Sequence, residues 1–293
     1  MNKSPSICLL MPYFGKWPFW MPFFLQSCRY NPSIDWLFFS DCGPLENSPE
    51  NVRVVSMSFA QYCQTVSRSL GIEFQPGKAY KLCDIRPAFG SIHEDELQGY
   101  DFWGFGDIDL VYGDLRAYFT DQRLQSYDLY STHARRVSGH LCLIRNTPRM
   151  RDAFKLIPNW QQRFCDQQHL AVDEGAFTRI FLRNKNLPQI LQRLIGRLNP
   201  WYRRSEFVEA YSTPYARIDW LDGSRDFPQR WLWNKGKLSN DRDQGREFPY
   251  FHFIVWKQQE WKILQQEQLE VACAFAGTTT WSLSAQGFKQ EQA

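Results

Sequence analysis

The sequence reads YDFWGFGDID from residue 100 to residue 109. A continuous aromatic and apolar run of this kind is typical of a buried strand, and here it leads into two aspartates. In an extended chain, residues i and i+2 point to the same side, so the carboxylates of Asp107 and Asp109 can converge on one cation while Ile108 turns back to the core. Such hard oxygen ligands suit Mg²⁺ or Mn²⁺. The stretch therefore predicts a buried strand that ends in a metal site.

Apolar runs and helix-forming segments alternate around this strand. Further strands are predicted at 7–11, 35–41, 52–56 and 140–146, and helices at 20–30, 59–70 and 78–90. This alternation predicts an α/β domain with a mostly parallel sheet and helices on both faces. Ligands of such sheets bind at the carboxyl ends of the strands. Asp41 ends one predicted strand, and Asp107 and Asp109 end another, so we expect them at the same edge of the sheet.

The composition excludes several classes of protein. The 293 residues include 34 Lys and Arg against 31 Asp and Glu, a net charge of +3 that is too mild for a nucleic-acid partner. A hydrophobic share of 43% excludes a disordered chain. The apolar stretch at 7–25 is interrupted by three prolines, a glycine and a lysine, so no membrane-spanning helix is predicted. The eight cysteines are scattered without a C-x-x-C pair, which predicts buried free thiols in a reducing compartment.

Several motifs in a fixed order resemble a known family. The hexapeptide KLCDIR at 81–86, on a predicted helix, precedes the strand that ends in Asp107 and Asp109, and this order is similar to the core of GT-A-fold glycosyltransferases, especially the retaining families 8 and 32. The similarity spans residues 7–257 and continues with Ser138-Gly139-His140, Asp173-Glu174, and His252 followed by Lys257. The chain also resembles an uncharacterised bacterial family through the segments at 11–15 and 103–109.

The resemblance implies a GT-A fold, which is Rossmann-like with a mostly parallel sheet, and an elaborated C-terminal region of helices and loops. It implies Mn²⁺, or Mg²⁺, held by Asp107, Asp109 and His252 across the diphosphate of a UDP-sugar donor. The implied contacts to the nucleotide-sugar, including an aromatic platform for the base and a cation for the leaving diphosphate, are Pro12, Tyr13, Phe14, Asp41, Lys81, Asp84 and Lys257. The implied catalytic residues are Asp173 and Glu174.

Simpler interpretations stand beside these roles. His252 lies between two phenylalanines in a predicted strand at 251–256, where a lone histidine is more often a hydrogen-bonded core residue than a ligand. Asp41 starts an ordinary turn. Asp173 and Glu174 precede a helical pattern, where acids are favoured by the helix dipole. As functional groups they would provide a base for an inverting displacement or assist a retaining one, and the resemblance implies retention.

The C-terminal part of the chain has its own pattern. We expect residues 1–178 to form the nucleotide-sugar-binding core and residues 179–293 an acceptor-side region. Between 175 and 205 there are seven cations and no acid, and aliphatic residues recur at 187, 190, 191, 194, 195 and 198. This spacing predicts an amphipathic helix. Two interpretations of this helix are open. In one, it packs its apolar face on the core; in the other, residues 185–204 lie in a membrane interface near anionic headgroups.

Together these features predict a metal-dependent glycosyltransferase of the cytoplasm, working at the inner face of the membrane. It would move a sugar from a nucleotide donor to a glycan or lipid-linked glycan acceptor in bacterial surface-polysaccharide synthesis. Two alternatives remain. A carbohydrate-binding homologue without activity would explain an aromatic share of 16%. A nucleotidylyltransferase-like enzyme would also use paired aspartates, although the sequence contains no G-x-x-x-x-G-K-[ST] phosphate loop.

Overall fold

The computed structural model describes residues 4–182, 187–214, 218–243, 245–262 and 278–291. Its strands are β1 (Ile7–Pro12), β2 (Ile34–Ser40), β3 (Val52–Ser56), β4 (Phe102–Gly106), β5 (Leu110–Tyr112), β6 (Leu129–Ser131), β7 (Leu141–Arg145), β8 (Ser205–Phe207), β9 (Arg230–Asn234), β10 (Lys237–Asn240), β11 (Tyr250–His252), β12 (Thr280–Ser284) and β13 (Gly287–Gln290).

The α-helices of the described residues are mostly short. They are α1 (Met21–Arg29), α2 (Phe59–Leu70), α3 (Leu82–Ile85), α4 (Phe89–Ile92), α5 (Leu115–Tyr118), α6 (Asp121–Leu124), α7 (Pro148–Arg151), α8 (Trp160–Cys165), α9 (Thr178–Phe181), α10 (Gln189–Gly196) and α11 (Ile254–Gln258). Single 3₁₀ turns add Ala79–Lys81, Arg86–Ala88, Asp152–Leu156 and Tyr202–Arg204, and a π-helical turn covers Asp173–Phe177. None of the described helices is long and apolar enough to span a membrane.

Seven strands form the central sheet in the order β3-β2-β1-β4-β7-β6-β8. Strands β1 to β4 pair in parallel, β7 is antiparallel to both of its neighbours, and β8 returns parallel to β6. Four of the six pairings are parallel, so the predicted α/β class and mostly parallel sheet are confirmed. The order 3-2-1-4 is that of the first four strands of a doubly wound sheet, in which ligands lie beyond the carboxyl ends of the strands.

Alternate residues of the central strands fill two separate cores. Cys8 and Leu10 of β1 point into a core with α2, α3 and α4, whereas Ile7 and Leu9 point to the opposite face, which is covered by α1. Since a strand is buried on both faces only when both are covered, this arrangement explains why β1, β2 and β4 are continuously apolar. Helices therefore cover both faces, as the sequence predicts.

Local signals set the ends of α2. Ser58 and Gln61 form a capping box at its beginning, and Gly71 follows its end in the left-handed conformation, with a φ of 64°. The predicted bounds at 59–70 are confirmed. The seven cysteines within the described residues are free, as predicted, and Cys273 lies outside the described residues.

A third, strongly aromatic core holds the C-terminal part. The sheet β10-β9-β12-β13 buries Trp231, Trp233 and Trp281 completely, and they pack with Phe23 of α1 and Val111 of β5. A separate antiparallel pair joins β5 to β11, so that His252 lies opposite Leu110. Because β5 follows Asp107-Ile108-Asp109 directly, this pairing brings His252, from the C-terminal part of the chain, to the edge of the central sheet.

Two local predictions are wrong. β4 ends at Gly106, so Asp107 and Asp109 lie in the loop between β4 and β5 rather than on a strand. The strand predicted at 251–256 ends at His252, and a helix begins at Ile254. Phe253 and Trp256 are buried at i and i+3 spacing, which is helical, while the residues between them are half-buried. In a run that is apolar throughout, the sequence does not distinguish the spacing of a strand from that of a helix.

Candidate active site

A cavity of about 580 Å³ opens at the carboxyl ends of β1 and β4. Its volume lies in the range of small-molecule sites. Nine of the twelve residues proposed from the sequence line it: Pro12, Tyr13, Phe14, Asp107, Asp109, Asp173, Glu174, His252 and Lys257. The expectation that the strand ends gather the polar residues at one edge therefore agrees with the geometry.

Asp107, Asp109 and His252 form one cluster, in which one ligand atom of each lies within 4.8 Å of the other two. The Nε2 atom of His252 is 3.7 Å from Oδ2 of Asp107 and 3.6 Å from Oδ2 of Asp109. Asp109 and His252 are buried, whereas a quarter of the Asp107 side chain faces solvent. The β5–β11 pairing holds the histidine against the loop.

Thr213 orients the histidine ring. Its hydroxyl oxygen lies 3.1 Å from Nδ1 of His252, while Nε2 is buried and has no hydrogen-bond partner among the described residues. The ring of His140 stacks on that of His252 at 4.7 Å, and burial lowers the pKa of His140 well below its usual value, with a further contribution from His252. His252 therefore turns one fixed nitrogen toward the two carboxylates.

Lys257 reaches the same cluster from α11, one turn after the histidine strand. Its Nζ lies 2.5 Å from Oδ2 of Asp109. Burial raises the pKa of Asp109, but His252 and Lys257 lower it by more, so this carboxyl has a pKa below its usual range and is ionised. The site thus stabilises an anionic Asp109 in a buried position.

The residues fit a divalent metal ion. Two carboxylates and one imidazole nitrogen are a mixed oxygen and nitrogen set that suits Mn²⁺ better than Mg²⁺. A buried nitrogen without a partner is unfavourable, and Nε2 of His252 is such an atom beside two carboxylates. A bound cation would supply its missing partner.

Arg86 is a site residue that the sequence pattern did not single out. Its guanidinium pairs with Asp107, donates to the carbonyl oxygen of Gly139 at 2.8 Å, and lies 3.3 Å from Oδ2 of Asp173. It therefore links the metal cluster to the proposed catalytic acids. Its position before Pro87 suggested a helix end. Its only sequence signal was its place in the KLCDIR motif at 81–86, which does not show whether the side chain enters a cavity.

Gly139 brings the backbone close to this arginine. A Cβ atom built on Gly139 would lie 3.0 Å from Nη1 of Arg86, 3.1 Å from Oδ2 of Asp173 and 3.2 Å from Oε1 of Glu174. Such distances are tighter than ordinary contacts, so a side chain here would displace at least one of the charged groups. This glycine permits the close approach of three functional side chains.

Asp173 and Glu174 differ in their surroundings. Asp173 is buried, and burial raises the pKa of its carboxyl from 3.8 to about 6, against the opposing effect of Arg86. Glu174 is partly exposed and pairs with Arg136 at 3.2 Å. Both residues lie at the start of the π-helical turn, so the predicted helix start is correct. A carboxyl with a raised pKa in a cavity is typical of acid–base chemistry.

Aromatic side chains form the wall at the end of β1. Tyr13 stacks on Trp17 with ring centroids 5.6 Å apart and nearly parallel planes, and its backbone N–H donates to the carbonyl of Phe39. Phe14 packs edge-on against Phe59 of α2. The ring of Tyr13 is thus fixed at the cavity wall, as an aromatic platform requires.

Three proposed residues lie outside the cavity lining. Lys81 and Asp84 are buried and bond to each other at 2.8 Å, and Asp84 also accepts from the backbone N–H groups of Leu170 and Val172. Through these bonds they brace the segment that leads into Asp173. Because the polar atoms of both side chains already have protein partners, this placement does not support a nucleotide contact. Asp41 is exposed and accepts from the N–H of Gly15 at 2.8 Å, which secures the aromatic loop.

A model of a family of unknown function, DUF6625, matches residues 9–277. The chain belongs to DUF6625. A search of the curated proteins found no match.

Solved structures similar to this DUF6625 protein include glycosyltransferases. The galactosyltransferase LgtC in complex with donor and acceptor sugar analogues is 11% identical over 91% of this chain and 95% of that chain, with a TM-score of 0.42. An active-site mutant of LgtC is 11% identical over 70% and 74%, with a TM-score of 0.39. Mouse xyloside xylosyltransferase 1 in its apo form is 12% identical over 73% and 87%, with a TM-score of 0.37. The functional conclusion rests on the cavity itself.

Proposed function

We propose that this DUF6625 protein is a metal-dependent glycosyltransferase that moves a sugar from a nucleotide donor, UDP in the first instance, to a glycan or lipid-linked glycan acceptor. One observation carries the proposal. Two aspartates and a histidine with an unpartnered buried nitrogen converge beside a cavity at the carboxyl edge of a parallel sheet. This is the edge at which nucleotides bind in such sheets.

Asp107, Asp109 and His252 would hold the metal ion, with Mn²⁺ favoured by the nitrogen ligand. When bound, a divalent cation neutralises the charge that develops on the leaving diphosphate. Lys257 lies at the same cluster, and its ammonium group would provide a second positive charge for that anion. The ring of Tyr13 offers a flat face for the base.

The chain's own carboxyls serve the sugar side of the cavity. Arg86 holds Asp173 near the metal cluster while the raised pKa of Asp173, about 6, leaves it ionised at neutral pH. An ionised, desolvated carboxylate stabilises positive charge at the anomeric carbon of a retaining reaction and accepts a proton in an inverting one. We propose retention, following the family resemblance, with Asp173 as the catalytic residue and Glu174 as its neighbour.

The two parts of the chain have different proposed roles. Residues 1–178 supply the sheet edge and the catalytic acids, and residues 179–293 supply the acceptor side and return His252 and Lys257 to the metal cluster. Bacterial surface-polysaccharide synthesis at the cytoplasmic face of the membrane is the setting we propose. The finer placement in families 8 or 32 stays a prediction.

Calorimetry of UDP binding with and without Mn²⁺ tests the proposal. We expect UDP to bind the wild-type protein with Mn²⁺ present, and Asp109→Asn to lose that Mn²⁺-dependent binding because one anionic ligand is gone. Asp152→Asn is the matched control, since Asp152 is about half exposed, lies outside the cavity and forms a surface ion pair with Lys155. Hydrolysis of UDP-sugars followed in the same samples reports turnover.

Three results would overturn the proposal in different ways. Unchanged Mn²⁺-dependent UDP binding by Asp109→Asn would remove the metal assignment. Binding of free glycans without metal and without hydrolysis would indicate a carbohydrate-binding protein. Release of pyrophosphate from a nucleoside triphosphate and a sugar phosphate would indicate a nucleotidylyltransferase.

A further inference from the structure

Helix α10 and its flanks turn aliphatic side chains to solvent. Six of the twelve large hydrophobic residues that are exposed within the described part of the chain lie in this one segment: Leu187, Ile190, Leu191, Leu194, Ile195 and Leu198. Ile190 is 74% exposed and Leu198 is 85% exposed. Their spacing of three and four residues puts them on one side of the helix. The simpler of the two sequence interpretations, in which this face packs on the core, therefore does not agree with the structure.

The segment is secured through other groups. A Cβ atom built on Gly196 would lie 2.5 Å from the ring of Tyr202, so the end of the helix rests directly on that ring. The side-chain amide of Asn199 donates to the carbonyl oxygens of Ile180 and Phe181 at 2.8 and 2.9 Å. Trp201 packs edge-on against Phe181 at 5.8 Å. These contacts hold the segment to α9 at its C-terminal end and leave the aliphatic face outward.

The surroundings of this face are basic. Residues 175–205 contain no acid, and Arg197 and Arg203 are exposed and have no ion-pair partner among the described residues. Arg204 is half exposed and pairs with Asp128. Lys185 lies outside the described residues, and so does the side chain of Arg193. Aliphatic groups flanked by exposed cations are the features of an interfacial membrane helix.

We propose that the outer face of α10, with Arg197 and Arg203, docks on an anionic lipid bilayer. A second copy of the chain is the less suitable occupant, because an isologous contact would bring the same basic residues of two chains together. In a bilayer the aliphatic side chains leave water and the guanidinium groups meet anionic headgroups. The proposal rests on the surface alone and does not require the proposed activity.

Co-sedimentation with vesicles tests the docking surface. One set of vesicles contains phosphatidylcholine alone, and the other also contains phosphatidylglycerol. We expect the wild-type protein to bind the anionic vesicles at low salt and to lose most of that binding in high salt. We expect Arg197→Glu with Arg203→Glu to weaken binding at least about tenfold, because each cation near an anionic surface contributes about a factor of five.

The apolar contribution has its own variant and control. Ile190→Gln with Leu194→Gln and Leu198→Gln should weaken binding to anionic vesicles by at least about tenfold. Leu156→Gln is the matched control, because Leu156 is 53% exposed but lies outside the face. The control should bind as the wild-type protein does. Thermal unfolding midpoints near the wild-type value would show that all variants are folded.

Several outcomes would overturn the docking proposal. Negligible binding of the wild-type protein to both vesicle types at low salt would do so, and so would equal loss in the face variant and in Leu156→Gln. Light scattering that shows a dimer which only the face variant dissociates would assign the surface to a second copy. Because none of these measurements uses a nucleotide or turnover, failure here is distinguishable from failure of the proposed enzyme.

Discussion

The cavity and the outer face of α10 depart from the usual distribution of side chains in opposite directions. The cavity buries Asp109, Asp173 and His252, whereas α10 exposes aliphatic residues such as Ile190 and Leu194. Buried charge and exposed apolar surface are both unfavourable unless a partner compensates. In the cavity, part of the compensation is internal, through Arg86 and Lys257. On α10 we find none among the described residues, and the proposed bilayer would supply it.

The largest effect is expected for the catalytic carboxyl. Asp173→Asn keeps the shape of the side chain but removes the charge, so we expect turnover of the nucleotide-sugar to fall by at least about 100-fold. Its KM and the affinity for UDP should stay near wild type, because Asp173 is not in the metal cluster. Steady-state kinetics with calorimetry measure both. Equal losses in turnover and UDP affinity would contradict the assigned role.

Matched truncations of two leucines test the comparison most directly. Leu143→Ala, on β7, empties part of the core between the central sheet and α1 and should lower the free energy of unfolding by about 2–5 kcal/mol. Leu194→Ala makes the same chemical change on the exposed face of α10 and should alter it by less than about 0.5 kcal/mol. Urea denaturation of both variants gives the values. A loss of several kcal/mol in Leu194→Ala would mean that the face is covered within the folded chain.

The buried Asp173 should also make stability depend on pH. Because burial raises its pKa from 3.8 to about 6, the folded state holds the proton more tightly than the unfolded state. Its stabilising contribution is therefore complete below pH 3.8 and is lost as pH rises through 6. Relative to Asp173→Asn, the wild-type protein should lose about 2 kcal/mol between about pH 4 and pH 7.

Denaturant unfolding across this pH range, with Asp152→Asn as the control, isolates the effect because Asp152 is about half exposed and lies outside the cavity. A constant difference between wild type and Asp173→Asn at all pH values would show that the carboxyl is not desolvated. We expect Asp173→Asn to be inactive and yet more stable than the wild-type protein at neutral pH, because a buried charge that serves function lowers stability.

The smallest effect is expected at Thr213. Thr213→Val preserves the size of the side chain and removes the hydroxyl that holds Nδ1 of His252, so the imidazole loses its fixed orientation. Loss of such an outer contact weakens metal affinity by about tenfold or more. Mn²⁺ titration followed by electron paramagnetic resonance measures it without substrate. Thr213→Ser should keep most of the affinity, and an equal loss in both variants would contradict the role.

Local patterns in the sequence predict much of the central sheet. The strands at 7–12, 34–40 and 52–56 lie at or within one residue of the predicted positions, because continuous apolar runs report strands that are covered on both faces. The bounds of α2 follow from its capping residues. The position of Asp107 at a strand end follows from the same run. These features depend on neighbours in the chain, which the sequence displays directly.

The assembly of the site depended on tertiary contacts. The pairing of β5 with β11 brings His252 to Asp109 across 143 residues, and the fold turns Arg86 into the cavity while it buries Lys81 and Asp84 behind it. Nothing local separates an arginine that enters a cavity from one that ends a helix. Helix α10 shows the same limit, because the periodicity of the sequence determined which side is apolar, and only the tertiary structure decided that this side faces outward. Periodicity reports how side chains are distributed around an element, whereas their cover comes from elements that are distant in the sequence.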